Sequence, residues 1–177
     1  ETGGAAFVEE DDRSFPEIKK LIRIITNAGG IPCYPALLED PAGNLTELEN
    51  DPEKLHTFLS GLGIGCLEFI PRKNDPATIN SFVKFFHSLG YLITFGTEHN
   101  TSQMLPLTVH DRNSNPLDES LKRIGWQGAC VIAAHQYLRA HGRQGYVLDN
   151  GKVSRDQKED LTELGRNVIE YYLNTRK

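Results

Sequence analysis

Residues 91–100 read YLITFGTEHN, and this stretch decides the fold of the chain. Its first half, 91–95, is an apolar run between two glycines, which is typical of a strand buried on both faces of a parallel sheet. Its second half presents a carboxylate, an imidazole and an amide in succession, from Glu98, His99 and Asn100. Ligands in α/β folds bind at the carboxyl ends of parallel strands. The sequence therefore predicts a functional corner directly after this strand.

The same pattern occurs twice more upstream, as apolar runs at 31–38 and 64–70. Each of the three runs follows a segment with one apolar stripe at helical spacing. The first helix is expected to begin at a capping box of Ser14 and Glu17 and to end at Gly29, and the other two are expected at 51–62 and 75–89. Alternating helices and apolar strands favour right-handed crossovers and a parallel sheet. With a short apolar run at 5–8, the count is three or four strands, fewer than the roughly eight of a closed barrel. The chain is therefore either a small open α/β domain or part of a barrel.

The composition argues against several classes of protein. The chain has 177 residues, enough for one sizeable core, and its net charge of −5 argues against nucleic acid as a partner. No apolar run approaches the roughly 20 residues of a membrane span, and the acidic start lacks the pattern of a signal peptide. The three cysteines, Cys33, Cys66 and Cys130, lie in apolar runs and are expected to be buried reduced thiols. Reduced thiols predict a cytoplasmic protein.

Three short segments, each after a predicted helix, carry a resemblance to a known family. They are 29–35, reading GGIPCYP; 63–70, reading GIGCLEFI; and 94–100, reading TFGTEHN. In this order they resemble the carboxyl-terminal half of a PHP domain, of the polymerase and histidinol phosphatase superfamily. The resemblance covers roughly residues 20–140. It implies part of a distorted TIM-like barrel that binds divalent metals at the strand ends and hydrolyses phosphoesters.

The family's metal ligands can be placed on this chain only in part. Where the family usually has Gly-Ser-Asp-Ala-His, residues 96–100 put Glu98 in the Asp place and Asn100 in the His place, with His99 shifted by one. Where the family has Ala-His-Pro, Tyr34 replaces the ligand histidine. A tyrosine suits zinc or manganese poorly, because it would have to lose a proton with a reference pKa near 10. The resemblance thus implies Glu98 and His99 as catalytic metal ligands, with Asn100 and Tyr34 near the substrate.

Three further residues are candidates for substrate binding. Glu68 interrupts the apolar run 64–70, and a carboxylate inside a buried strand costs several kcal/mol unless it is paired or bound to a ligand. A salt bridge with Arg72 explains Glu68 equally well. Arg72 and Lys73 follow that strand and have the chemistry to hold a phosphate, although two solvated loop residues fit the same pattern. The alternative for Glu98 and His99 is likewise a turn that they stabilise by hydrogen bonds.

The resemblance and the helix pattern together predict two parts of the chain. Residues 1–145 are expected to form the carboxyl-terminal part of a PHP-like barrel, with two further helices at 117–124 and 128–141. Residues 146–177 are expected to form a hairpin and a C-terminal helix packed on it. The His-x-His motif of the family's amino-terminal half does not occur here. The missing amino-terminal part of the barrel is therefore an expected partner, and self-association into a homo-oligomer is another.

The leading hypothesis for the function is a metal-dependent phosphoesterase. A zinc, manganese or iron ion would activate water for attack on a phosphorylated small molecule. The alternative is a catalytically diverged PHP-like barrel that binds a ligand or scaffolds a partner. A third interpretation is a self-contained flavodoxin-like domain with a parallel sheet of about four strands.

Overall fold

Three apolar runs of the sequence form the strands of one parallel sheet in the computed structural model of the chain. The strands are β1 (Cys33–Ala36), β2 (Cys66–Phe69) and β3 (Leu92–Phe95), arranged in the order β1-β2-β3. The structure describes residues 4, 8–11, 14–40, 42–97, 99, 102, 104 and 106–175. Most of the apolar run 5–8 lies outside these residues. The prediction of a mixed α/β fold with a parallel sheet is confirmed.

The described part of the chain contains five α-helices. They are α1 (Ile18–Asn27), α2 (Pro52–Leu62), α3 (Pro76–Ser88), α4 (Glu119–Ala140) and α5 (Lys158–Thr175). The Asp-Pro pairs start α2 and α3 as predicted. The carboxylates of Asp51 and Asp75 each accept hydrogen bonds from two backbone N–H groups of the first turn. These caps satisfy donors that have no partner within the helix.

The register of the sheet divides the strand residues between its two faces. Tyr34, Leu67 and Ile93 are aligned across the three strands, and so are Pro35, Glu68 and Thr94. The face that carries Leu67 packs on α2 and α3 and forms the larger core. The other face begins with Cys66, which packs with residues of α4 and α5 in a second core. Glu68 lies two residues further along this second face, toward the carboxyl ends of the strands.

The helices predicted at 117–124 and 128–141 are a single helix, α4. The expected break was wrong because Gly125 and Gly128 continue the helix and bring it into close contact with β3. A methyl group at Gly128 would overlap the carbonyl oxygen of Ile93, so the missing side chain lets α4 lie directly against β3. The N–H groups of Leu92 and Gly96 donate to the β2 side of β3. Backbone groups alternate along a strand, so the Ile93 carbonyl points to the other edge, and α4 covers that edge.

The barrel expected from the resemblance is not seen, and the described residues form an open sheet. Beyond β3, α4 occupies the place where a further strand would pair. On the opposite side, β1 pairs with no second strand in the described part of the chain. Prolines inside or beside a strand suit such an edge, because they cannot donate to a ladder. Pro32 and Pro35 fit this position.

The carboxyl-terminal segment packs on the sheet through α4. Its predicted hairpin at 145–153 is reduced to one antiparallel bridge between Val147 and Val153. The hydroxyl of Tyr146 donates to the carbonyl of Gly65 at 2.9 Å, and the Lys158 ammonium donates to the carbonyl of Tyr91 at 2.9 Å. The segment is thus anchored where β2 and β3 begin. None of the helices within the described residues has the length and apolar character needed to cross a membrane.

Candidate functional site at the carboxyl ends of the strands

A cavity of about 420 Å³ opens where the three parallel strands end. We call it the strand-end cavity. Its lining comes from the ends of all three strands and from the long loop after β3. The lining residues are Pro35, Ala36, Leu37, Glu68, Ile70, Phe95, Gly96, Thr97, Leu107 and Val109. Most of these are apolar or glycine, so the Glu68 carboxylate and the Thr97 hydroxyl are its main polar side-chain groups.

Glu68 is half-buried on the central strand and has no compensating partner among the described residues. It makes no hydrogen bond or ion pair with any residue that the structure describes, and the expected salt bridge with Arg72 is not formed there. Its carboxylate lies against the backbone of Gly96, where a methyl group would come within 2.6 Å of Oε1. Gly96 therefore makes room for this carboxylate at the end of β3. An unpaired carboxylate in a largely apolar cavity favours a site for a cation or a hydrogen-bond donor.

The segment after β3 brings an imidazole to the same end of the sheet. His99 is exposed, and its Nε2 lies 2.8 Å from the hydroxyl oxygen of Thr97. Thr97 lines the strand-end cavity together with Glu68. Glu98 and Asn100, the two other candidates of this corner, lie outside the described residues. The structure thus brings Glu68, Thr97 and His99 to one edge of the sheet.

Arg72 and Lys73 follow Glu68 in a short 3₁₀ turn, Pro71–Lys73, but are exposed and do not line the cavity. The backbone carbonyl of Lys73 accepts a hydrogen bond at 2.5 Å from the guanidinium of Arg112. The same guanidinium pairs with Glu39 at 2.6 Å. Arg112 belongs to the long loop, so this contact fastens the loop to the segments that follow β1 and β2. The phosphate-holding pair predicted at this turn therefore stays a prediction.

Tyr34 lies on the opposite face of the sheet from Glu68. It packs at the border of the larger core and lies beside the carboxylate of Glu49. Burial, the negative charge of Glu49 and a hydrogen bond to it raise the pKa of Tyr34 to about 12. The phenol therefore keeps its proton at neutral pH. The structure does not bring Tyr34 together with the residues of the strand-end cavity.

Glu49 is a buried carboxylate that the sequence did not single out. Its two oxygens accept hydrogen bonds from the N–H groups of Leu37 at 3.0 Å and Leu38 at 2.9 Å. Thr46 donates a third at 2.5 Å. These bonds hold Leu38 in a left-handed conformation, with φ of 57°, directly after β1. Glu49 lies in a polar segment whose pattern gave no signal of burial, because its partners are backbone groups.

A second cavity of about 420 Å³ lies on the Glu68 face, nearer the start of the strands. We call it the thiol cavity, since it is lined by Cys33, Cys66, Glu68, Thr94 and His135, among others. Cys66 and Cys130 are buried as predicted, but Cys33 is exposed because β1 is an edge strand. The Nε2 of His135 lies 2.9 Å from the carbonyl of Gly29. Burial lowers the pKa of His135, so the neutral ring donates this bond.

Glu68 and His99 offer an oxygen and a nitrogen ligand, but no group of three or more His, Cys, Asp or Glu residues occurs among the residues that the structure describes. No family model, curated protein or solved structure matches the chain. The PHP resemblance therefore depends on the three quoted segments alone.

Proposed function

We propose that this chain contributes the carboxyl-terminal half of a metal-dependent phosphoesterase site. The observation that carries the proposal is the unpaired carboxylate of Glu68 at the end of the central parallel strand. Thr97 lines the strand-end cavity with Glu68, and its hydroxyl is hydrogen-bonded to the imidazole of His99. A carboxylate and an imidazole from adjacent strand ends are ligand types that zinc, manganese and iron accept. Glu98, one residue from His99, is expected to add a second carboxylate.

The residues have distinct roles in this proposal. A divalent metal held by Glu98 and His99 would activate a water and stabilise charge on phosphoryl oxygens. Thr97 would fix the orientation of the His99 ring through its hydrogen bond. Glu68 would accept a hydrogen bond from the attacking water or from the substrate. Arg72 and Lys73, exposed at the same end of the sheet, would attract the phosphate from solvent.

The part-barrel interpretation is supported by the unpaired edge of β1. A parallel sheet normally continues or is covered at its edges, and within the described residues only the β3 edge is covered. An amino-terminal half that pairs with β1 would bring further strand ends, and with them further ligands, to the strand-end cavity. This proposal makes the missing part of the barrel a partner of the chain.

The test is hydrolysis of para-nitrophenyl phosphate by the full-length protein, with and without added zinc or manganese. We expect Glu98→Ala to reduce the metal-dependent rate by ~100-fold or more, as loss of a ligand or of its support does. Glu68→Gln, which keeps the shape of the side chain, should reduce the rate as well. The matched control is Glu47→Gln, which makes the same change of carboxylate to carboxamide at an exposed residue in the loop after β1. An unchanged rate in Glu98→Ala would contradict the assignment.

A second candidate is a binding or scaffold module on a barrel that has lost its metals. It is favoured by Tyr34, which stands in the place of a ligand histidine and whose raised pKa keeps it protonated. Elemental analysis of the full-length protein separates the two candidates. Absence of zinc, manganese and iron, with no activity gained when they are added, would favour the binding module.

A further inference from the structure

Two cysteines face each other across β1 and β2. Cys33 and Cys66 are aligned in the sheet register, and their sulfur atoms lie 2.9 Å apart, with Cys66 donating a hydrogen bond to Cys33. Neighbouring parallel strands lie about 4.8 Å apart, which is within the range of Cα separations that a disulfide spans. The two thiols therefore can be joined without separating or sliding the strands.

The two sulfurs differ in access. Cys33 is exposed on the edge strand, whereas Cys66 is buried beneath it. The hydrogen bond to Cys33, burial and the negative charge of Glu68 all raise the pKa of the Cys66 thiol. Cys33 is thus the sulfur that an oxidant in solvent can reach, and the buried Cys66 lies 2.9 Å from it. An exposed thiol beside a second thiol is the arrangement of a site that oxidises reversibly.

We propose that Cys33 and Cys66 form a modification site, a dithiol that hydroperoxides convert reversibly into an intramolecular disulfide. The proposal depends on the register and exposure of the two cysteines and is independent of the phosphoesterase assignment. The third cysteine, Cys130, lies on the buried side of α4 and takes no part.

The reaction balances with a hydroperoxide as the oxidant. The Cys33 sulfur attacks the terminal peroxide oxygen and the O–O bond breaks, giving a sulfenic acid on Cys33 and one molecule of water or alcohol. The Cys66 sulfur then attacks the Cys33 sulfur. The S–O bond breaks, hydroxide leaves, and the Cys66 proton completes a second molecule of water. Two electrons pass from the thiols to the peroxide, and an external dithiol restores the reduced pair.

The disulfide would form on the same face as Glu68, two residues before it on β2. It would fix the edge strand β1 to the central strand and link two residues that are 33 positions apart in sequence. A cross-link over such a separation restricts the unfolded chain. We therefore expect the oxidised protein to have a higher Tm than the reduced protein.

The experiment is treatment of the folded, reduced protein with hydrogen peroxide, followed by unfolding in denaturant, alkylation, mass spectrometry and peptide mapping. We expect two of the three cysteines to become protected from alkylation, a peptide linking Cys33 to Cys66, and full recovery of the thiols with dithiothreitol. Cys130→Ser is the matched control and should form the same linked peptide. In Cys66→Ser, dimedone should trap a sulfenic acid on Cys33.

The outcomes that would overturn the proposal are equally distinct. One is oxidation of Cys33 to the sulfinic acid in the wild type while Cys66 still reacts with the alkylating agent. The other is a disulfide between the Cys33 residues of two chains. Cys33→Ser provides a second route if substitution of the buried Cys66 prevents folding. This variant changes only an exposed side chain, and it should fold, lose the linked peptide and lose the rise in Tm.

Discussion

At the scale of single residues, the period of the strand decides which candidates meet. Successive side chains on a strand point to opposite faces. The register aligns Glu68 with Pro35 and Thr94, whereas Tyr34 is aligned with Leu67. Glu68 therefore reaches the strand-end cavity, and Tyr34 reaches Glu49 on the other side. Tyr34, which the resemblance places at the site, precedes Pro35 by one residue on β1 and therefore points to the other face of the sheet.

The position of Tyr34 predicts a pH dependence of stability. Its pKa rises from 10.0 to about 12 on folding. The unfolded chain therefore loses this proton first, and the stabilisation is complete below pH 10 and is lost as the pH rises toward 12. The free energy of unfolding should fall in this window by at most ~1.4 kcal/mol per pH unit on account of this group. Urea denaturation of wild type and Tyr34→Phe from pH 8 to 12 checks it.

The measurement at pH 8 is the control for the comparison of wild type with Tyr34→Phe. At pH 8 the phenol is protonated in both states of the wild type, so the difference between the two proteins reports only the lost hydroxyl contacts. Above pH 10 the difference should shrink, because Tyr34→Phe has no proton to lose. Curves that stay parallel up to pH 12 would contradict the assigned environment of Tyr34.

At the scale of elements, glycines decide how α4 and α5 pack. The sequence pattern predicted two helices, at 117–124 and 128–141, and glycine in a helix interior does lower helix propensity. The structure uses glycines for close contact instead. Gly128 lies on the Ile93 carbonyl, and Gly165 of α5 lies on the Cys130 carbonyl of α4. The backbones of β3 and α4, and those of α4 and α5, are thus in direct contact at these glycines.

Gly128→Ala should therefore destabilise the protein although alanine favours helices. The added methyl group meets backbone, which cannot rotate away, so we expect a loss of about 3 kcal/mol in the free energy of unfolding. Gly61→Ala in α2 is the matched control, because its methyl group would meet no atom within 4 Å. The control should gain up to ~1 kcal/mol. Equal stabilities of the two variants in urea denaturation would show that α4 does not contact β3 at Gly128.

At the scale of the whole molecule, the apolar stripe of α1 faces solvent. The sequence predicted this helix with a stripe of Ile18, Leu21, Ile22 and Ile25, but no residue of α1 is buried, and Ile22 packs against the larger core as a half-buried residue. Ile18, Leu21, Ile24 and Ile25 are all exposed, Ile24 by 54%. This helix precedes β1, which pairs only with β2 among the residues that the structure describes. A contiguous apolar surface of this kind marks an interaction site in soluble proteins, which fits the expected homo-oligomer or the missing part of the barrel.

We expect residues 1–177 alone to self-associate through this stripe. The average mass in sedimentation equilibrium should rise with concentration, and Ile24→Lys should reduce the rise because it places a charge at the most exposed residue of the stripe. Met104→Lys is the matched control, since Met104 is 98% exposed and lies in the long loop between β3 and α4. A wild type that stays monomeric, or an equal effect of both substitutions, would contradict this expectation.

The three strands, the helix before each of them and the parallel pairing of the sheet were all predictable from the sequence alone. These follow from local signals, since apolar period, Asp-Pro caps and glycine stops act within a few residues. It also selected Glu68, because a carboxylate inside an apolar strand is visible in the sequence. Three features became visible only in the tertiary structure: Gly128 packs α4 against β3, Glu49 is buried, and the Cys33 and Cys66 sulfur atoms are in contact. Each of these depends on contacts between residues distant in sequence, which no local pattern encodes.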